Sequence, residues 1–336
     1  MTLDTASPTP LLEVRGLVKH FPVRTPGLFG RQKPPIRALN GVTFKLARGE
    51  TLAVVGESGC GKSTLAKTLA LLYRPDGGEI IFDGTSITPG SEHLAKEIRR
   101  RSQLIFQDPY GSLNPRLTVA EIIAEPLVIQ GLARDKRAGR VTDVARSVGL
   151  RGEDLRKYPH QFSGGQRQRI AIARALVSEP ELVIADEPLS ALDVSVQSQV
   201  INLLVDLKAS RGLTYIFISH DLSVVEYIAD RVAVMYLGRI VELGPAESLF
   251  SSPLHPYTRA LMDAAPEIGK RLRMKHASAR GEAANSGNMP KGCPFHPRCP
   301  NVQEICAIER PRLIPAEDIS ENSDTHTVAC HFAESV

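Results

Sequence analysis

No stretch of about 18 uninterrupted apolar residues occurs in this chain, so none of its segments can cross a bilayer as a single helix. A large charge of one sign is missing too. Lys and Arg number 41 against 37 Asp and Glu, a formal net charge of +4, with no basic stripe or tail of the kind that nucleic-acid binding calls for. The first residues, MTLDTASPTPLLEVRG, lack the basic start and apolar stretch of a secretory leader. There is no internal repeat. Cysteines number five, too few for a disulfide scaffold, and they point to reduced thiols or to metal. A cytosolic chain is the expectation.

What is present is ordinary globular material: 42% hydrophobic and 23% charged residues, which excludes disorder and collagen. A length of 336 residues suits two domains, or one large domain with an appendage. Leu11–Val18 and Val42–Leu46 read as strands flanking a surface loop between Pro22 and Pro35. The run ending in Val54-Val55 is a strand, followed by a glycine loop and a helix from Lys62 to Leu72. Ile80–Gly84 and Gln103–Phe106 are further short strands. Between Thr118 and Leu150 the apolar residues Val119, Ile122, Ile123, Leu127, Val141, Val144, Ala145 and Val148 fall at helical spacing. A long helix follows Gly165. Then come the buried-strand runs Leu182–Ala185, Tyr215–Ile218 and Val232–Met235. Strands alternating with helices predict an α/β fold with a largely parallel sheet and a helical insert. Asn285–Gly292 reads as a linker before a cysteine-bearing tail.

The chemistry starts at Gly56-Glu57-Ser58-Gly59-Cys60-Gly61-Lys62-Ser63-Thr64, which fits G-x4-G-K-[ST] between a strand and a helix. The glycines let backbone N–H groups turn inward on a phosphate, and the helix N-terminus adds positive potential. Lys62 would reach the β- and γ-phosphates and Ser63 would ligate Mg²⁺. The strand Leu182–Ala185 ends in Asp186-Glu187, an aspartate to hold Mg²⁺ beside a carboxylate to orient water. Cys60, at a helix N-terminus, is expected to be a reactive, low-pKa thiol whose alkylation blocks ATP binding.

Phe162-Ser163-Gly164-Gly165-Gln166, with Gln107 before it and His220 after it, resembles the signature of the ABC ATPases. In order, Gly56–Thr64, Gln107, Ser163–Gln166, Asp186-Glu187, Ser190-Ala191-Leu192-Asp193 and His220 resemble that family over about two thirds of the chain. The resemblance implies a P-loop NTPase (RecA-like) core with an inserted helical subdomain at about 110–165. It implies ATP and Mg²⁺ as cofactors and a dimer in which Ser163, Gly164 and Gly165 cover the partner's γ-phosphate. On the same ground Glu187 would polarise the attacking water and His220 would clamp the γ-phosphate. Gln107 would contact Mg²⁺ and sense the membrane subunit. Asp193 would link the two active sites, and Phe21 would stack on adenine.

The long run Phe106-Gln107-Asp108-Pro109-Tyr110-Gly111-Ser112-Leu113-Asn114-Pro115-Arg116 is similar to the dipeptide/oligopeptide/nickel importer ATPases, of the second-subunit type. Asp186–Gln197 and His255-Pro256-Tyr257-Thr258 fit the same branch, which implies a cassette at 1–250 and a C-terminal extension at 251–336. The Pro-Ser-Pro stretch common ahead of the tail cysteines is replaced here by Ala-Ala-Asn-Ser-Gly-Asn-Met-Pro. The implied partners are a sister ATPase, two transmembrane permeases and an extracytoplasmic solute-binding protein, at the cytoplasmic face of the membrane, with no nucleic acid. A soluble ABC ATPase of translation or DNA repair would bring paired cassettes, coiled coils or zinc modules, and none is present. Peptide and nickel stay open as the solute.

Cys293, Cys299, Cys306 and Cys330 supply four thiols, the number a [4Fe–4S] cluster or a structural zinc requires. Tight C-x2-C pairs are missing, and Pro294, Pro297 and Pro300 fix irregular loops, so a cluster stands first, with zinc and no metal as alternatives. Its role would be to lock a tail with few apolar residues. Arg99-Arg100-Arg101 and Lys270–His276 read as solvated faces, with lipid headgroups the lesser alternative.

Overall fold

A computed structural model of the chain describes residues 9–23, 34–87, 92–264, 289–316 and 326–333. The loop expected from Pro22 to Pro35, the linker at Asn285 and the basic run Lys270–His276 lie wholly or mostly outside these residues.

The strands are β1 (Leu12–Phe21), β2 (Ile36–Leu46), β3 (Thr51–Val55), β4 (Gly77–Phe82), β5 (Thr85–Ile87), β6 (Ser102–Ile105), β7 (Leu182–Asp186), β8 (Thr214–Ile218), β9 (Arg231–Tyr236), β10 (Arg239–Pro245), β11 (Ile314–Pro315) and β12 (Thr327–Val328). The helices are α1 (Lys62–Leu69), α2 (Glu92–Arg101), α3 (Pro109–Ser112), α4 (Val119–Ile129), α5 (Arg134–Ser147), α6 (Gly164–Leu176), α7 (Val194–Arg211), α8 (Leu222–Ile228), α9 (Ala246–Ser251), α10 (Pro256–Asp263) and α11 (Glu304–Ile308).

β3, β7 and β8 are buried at every position. Continuous apolar strands of this kind belong inside a parallel sheet covered on both faces, and that is where they lie. The larger sheet has the order β11-β12-β10-β9-β3-β8-β7-β6, and the five strands from β9 to β6 are mutually parallel. Period-2 alternation divides their side chains. Val183, Ala185, Tyr215 and Phe217 face a core shared with α4, α5, α6 and α7. Leu182, Ile184, Ile216 and Ile218 face the opposite core, shared with α1 and the smaller antiparallel sheet β2-β1-β4-β5.

The helical insert is built as its spacing predicts. Thr118 caps α4 with Glu121 in a reciprocal capping box, and Val119, Ile122, Ile123 and Leu127 form its buried face. The C-terminal residues join the larger sheet, since β12 pairs antiparallel with β10 and β11 with β12. Of the arginine run, Arg99 and Arg100 are exposed, as expected of a solvated face, whereas Arg101 is half-buried and bridges Glu181 and Asp83. Among the described residues, no helix is long and apolar enough to cross a membrane.

Candidate functional site

In an open parallel sheet, ligands collect beyond the carboxyl ends of the strands. Register puts four such ends level here: Val54 opposite Ile218, Ile218 opposite Asp186, and Ala185 opposite Ile105. The residues that follow β3, β6, β7 and β8 are the glycine loop, Gln107, Glu187 and His220. One edge of the sheet therefore gathers motifs scattered over about half of the sequence.

The glycine loop is wedged between backbone segments. Gly56 has φ +149° and Gly61 φ +112°; a Cβ on either would sit 2.2 Å from a carbonyl oxygen, of Met235 and Ala38 respectively. Only glycine tolerates both the dihedral and the contact. Ser58 and Gly59 form the exposed crest. Lys62 opens α1 and is buried, its Nζ donating to the Gly56 carbonyl at 2.7 Å and the Glu57 carbonyl at 3.1 Å. A positive charge thus lies at the centre of the loop. Thr64 follows on the same helix, its carbonyl accepting from the Thr68 hydroxyl at 2.7 Å.

Ser63 Oγ donates to Asp186 Oδ1 at 2.9 Å, joining the two residues expected to share a magnesium ion. Asp186 is almost fully buried, and burial raises its carboxyl pKa against the opposing pull of the Ser63 hydrogen bond and the nearby lysines. Glu187 adopts φ +47°, uncommon for a residue with a side chain, and its N–H is tied to the Ile218 carbonyl at 3.0 Å. Such backbone outliers concentrate where geometry is functional. Its carboxylate collects the other two residues: Gln107 Nε2 donates to Oε2 at 2.9 Å, and His220 Nδ1 stands 3.4 Å from the same oxygen. Gln107, Glu187 and His220 form one constellation, beside the Ser63–Asp186 pair.

The signature segment lies elsewhere, at the N-terminus of α6. Ser163 caps that helix with Gln166 in a reciprocal box, and both side chains are exposed. Gly165 is needed for packing, because a Cβ there would come 2.3 Å from Val196 Cγ1. Asp193 caps α7 through its backbone carbonyl. Phe21 ends β1 and meets Tyr73 edge-on at 5.4 Å between ring centroids, with Lys19 Nζ 5.5 Å from its own ring.

Cys60 corrects an expectation. It is 5% exposed, and burial raises its thiol pKa, outweighing the lowering effect of Lys62. Desolvation of the thiolate exceeds the benefit of the helix end, so a reactive thiol is not what the fold produces.

Sequence reasoning missed how the C-terminal residues meet this loop. Tyr257 Oη accepts the Glu57 N–H at 2.8 Å, and Arg298 grips the Glu57 carboxylate through both terminal nitrogens, at 2.8 and 2.9 Å. His255, which reads as part of a turn before a helix, caps α10 by accepting the Tyr257 N–H at Nδ1, 3.0 Å away. A buried carboxylate, Glu242, fastens the segment to β10: it accepts from Leu254 N at 2.8 Å, His255 N at 2.9 Å and His326 Nε2 at 2.9 Å. Cys293, Cys299, Cys306 and Cys330 line one cavity with His255 and Phe295. Among the described residues, no three His, Cys, Asp or Glu side chains are grouped tightly enough to hold a metal ion as they stand.

Residues 39–190 match the family model described as "ABC transporter", and residues 241–306 match "Oligopeptide/dipeptide transporter, C-terminal region". The chain is 48% identical over 331 residues to the dipeptide transport ATP-binding protein DppF of Haemophilus influenzae, spanning 98% of this chain and 99% of that one. It is equally 48% identical over 334 residues to the oligopeptide transport ATP-binding protein AppF of Bacillus subtilis, with 98% and 99% covered. Among solved structures it resembles cbiO1 of Clostridium perfringens, part of the ABC transporter complex cbiONQ, with a TM-score of 0.62 at 30% identity over 72% of this chain and 91% of that one. A dimeric post-hydrolysis state of the ATP-binding cassette MJ0796, bound to ADP and Pi, gives a TM-score of 0.61 at 27% identity over 70% and 98%.

Proposed function

Because the chain belongs to the ABC transporter ATP-binding family, we propose that it is the ATP-hydrolysing subunit of an importer for di- and oligopeptides. The observation that carries the mechanism is the convergence of Gln107 and His220 on one carboxylate oxygen of Glu187, beside Ser63 and Asp186.

ATP enters with its phosphates on the N–H groups of Gly56–Thr64. Lys62 exchanges its bonds to the Gly56 and Glu57 carbonyls for the phosphate oxygens, and Phe21 offers its ring to adenine. Mg²⁺, held by Ser63, Asp186 and Gln107, would neutralise charge on the β- and γ-phosphates. The Ser63–Asp186 hydrogen bond supports that pairing, for it aims a hydroxyl oxygen and a carboxylate at one point. Glu187 orients the attacking water and accepts its proton, while His220 fixes the geometry of the carboxylate and of the γ-phosphate. The site is finished by a second chain. Ser163 and Gln166 present exposed side chains at the N-terminus of α6, an end suited, with the N–H groups of Gly164 and Gly165, to a γ-phosphate presented by a partner, and Asp193 caps the next helix. The dimeric cassette among the similar structures supports this assembly.

The partner is a sister ATPase, and the pair sits at the cytoplasmic face beneath two permeases fed by a solute-binding protein. For the tail, the four cysteines around one cavity support a [4Fe–4S] cluster as the bound group, with zinc as the alternative. When bound, that group would crosslink Cys293, Cys299, Cys306 and Cys330 and hold the tail's irregular backbone in place.

Affinity purification of the tagged chain from detergent-solubilised native membranes, with mass spectrometry of what is retained, tests this reading. Recovery of two polytopic subunits, a second ATPase and a solute-binding protein is the expected result. A chain found only in the soluble fraction, alone or with ribosomes or DNA, overturns the transport role.

A further inference from the structure

Glu57, in the phosphate loop, is held at its N–H, its side chain and its carbonyl. Its N–H goes to Tyr257 Oη at 2.8 Å. Its carboxylate is clasped at both oxygens by Arg298, at 2.8 and 2.9 Å. Its carbonyl accepts from Lys62 Nζ at 3.1 Å and from the Cys60 N–H at 3.3 Å. Nothing within the loop motif supplies the first two holds. They come from residues 200 and 241 positions further along the chain.

Both anchors are rigid. Tyr257 is 1% exposed and packs against Tyr236, ring centroids 4.6 Å apart. The Arg298 side chain is 12% exposed, and its guanidinium lies 5.8 Å from the Phe295 ring and 6.0 Å from that of Tyr236. A planar fork engaged at both oxygens fixes the orientation of a carboxylate, which one ammonium contact does not do. Arg298 is also locked in sequence to the cysteines. It stands immediately before Cys299, in a turn where the Cys299 N–H donates to the His296 carbonyl at 3.3 Å, and Cys293 N bonds Cys306 O at 2.8 Å.

We propose that Arg298 and Tyr257 are positioning residues of the nucleotide site: by fixing both the backbone and the side chain of Glu57 they hold the phosphate loop in its ATP-accepting curvature, so that ATP affinity depends on the folded cysteine tail. The inference rests on the reading of Gly56–Thr64 as the ATP site. The two holds work on one residue. Tyr257 prevents the Gly56–Glu57 peptide from turning, and Arg298 prevents the Glu57 side chain from swinging and drawing the crest, Ser58 and Gly59, with it. Neither residue takes part in the chemical step, so their loss falls on nucleotide binding.

The test uses the full chain in its transporter complex, with Mg-ATP as the probe. Dissociation constant, KM and kcat are measured for the parent, Arg298→Ala, Arg298→Lys, Tyr257→Phe and Glu57→Gln. Arg298→Ala is expected to raise KM and Kd about tenfold, with the change in kcat below threefold. Arg298→Lys recovers part of the loss, and Tyr257→Phe raises KM several-fold. Glu57→Gln reproduces Arg298→Ala from the other side without touching the tail, and the double variant is no worse than either single one, as two halves of one interaction require. Should Arg298→Ala fail to fold, Glu57→Gln and Tyr257→Phe carry the test alone. KM and Kd unchanged in Glu57→Gln and Tyr257→Phe, or losses that add in the double variant, overturn the proposal. A parent complex that does not bind Mg-ATP at all overturns instead the reading of the site beneath it.

Discussion

Substituting Glu242 by glutamine would place an amide where the tail is fastened to the sheet. Glu242 is fully buried on β10; its Oε1 accepts from Leu254 N at 2.8 Å and His326 Nε2 at 2.9 Å, and its Oε2 accepts from His255 N at 2.9 Å. An amide has one acceptor oxygen and one donor nitrogen. Whichever way it turns, its NH₂ faces at least one N–H that has lost its acceptor. A hydrogen bond to a charged group contributes about 1.5–3 kcal/mol, and an unsatisfied buried donor costs about 1–3 kcal/mol. Glu242→Gln should therefore destabilise the chain by about 3–5 kcal/mol at neutral pH, a large share of the roughly 5–15 kcal/mol typical of a folded protein. At about 2–4 °C per kcal/mol, the melting temperature should fall by roughly 6–20 °C. Burial raises the Glu242 carboxyl pKa, but His326 and the two backbone donors outweigh it and leave the group below its ordinary value. A depressed folded pKa gives stability that is complete above the unfolded pKa and lost as pH falls through the folded one. The gap between parent and variant should accordingly narrow below about pH 4.5. Calorimetry and urea unfolding followed by circular dichroism measure both effects. A variant within about 0.5 kcal/mol of the parent at pH 7 refutes the reasoning, because surface substitutions change stability that little.

Three further outcomes follow from the site and its supports. Glu187→Gln keeps an acceptor for Gln107 and removes the base, so kcat should drop by about 10²–10⁴-fold while ATP still stabilises the chain; turnover near the parent rate would exclude the assigned role. Gly61→Ala forces a Cβ to within 2.2 Å of the Ala38 carbonyl at φ +112°, so Mg-ATP at a hundred times the parent's Kd, which would add about 2.7 kcal/mol to the parent, should produce no thermal shift; a parent-like shift would sink the argument. Burial pushes the His255 pKa down to about 4, against the raising effect of Glu242, so between pH 6.5 and 4 the unfolded chain carries a proton that the folded one does not. Stability should decline across that window by up to about 3 kcal/mol, and a melting temperature that is flat from pH 6.5 to 4.5, indistinguishable from His255→Asn, would contradict it.

Part of the site is legible in the sequence because Gly56–Thr64 and Asp186-Glu187 sit at the ends of apolar strands, and a parallel sheet brings such ends to one edge. Gln107, His220 and Ser163–Gln166 enter only through the resemblance to the ABC ATPases. The supports are a different matter. Nothing local about Glu57 tells that a tyrosine and an arginine far along the chain will hold it, nor does Glu242 announce that it faces His326. Those contacts depend on how the tail folds back over β9 and β10, which periodicity does not encode. The thiol of Cys60 fails as an expectation for a related reason. Motif position gives the helix end that favours a thiolate, whereas burial, which penalises it more, comes from the tertiary packing of the loop against Met235 and Ala38.

The Glu57–Arg298 clasp has a consequence for the way the protein is made. The two residues are 241 positions apart, and a ribosome adding about 5–20 residues per second needs roughly 10–50 s to travel from one to the other. Throughout that interval the nascent cassette carries its phosphate loop with Glu57 unclasped, and the hydrogen bond from His326 to Glu242 comes later still. The part of the molecule that meets nucleotide is thus among the first to be synthesised and among the last to be finished. A chain released before Arg298 would display every nucleotide motif and lack the holds on its loop. Completion of the polypeptide is in that sense built into the architecture of the site.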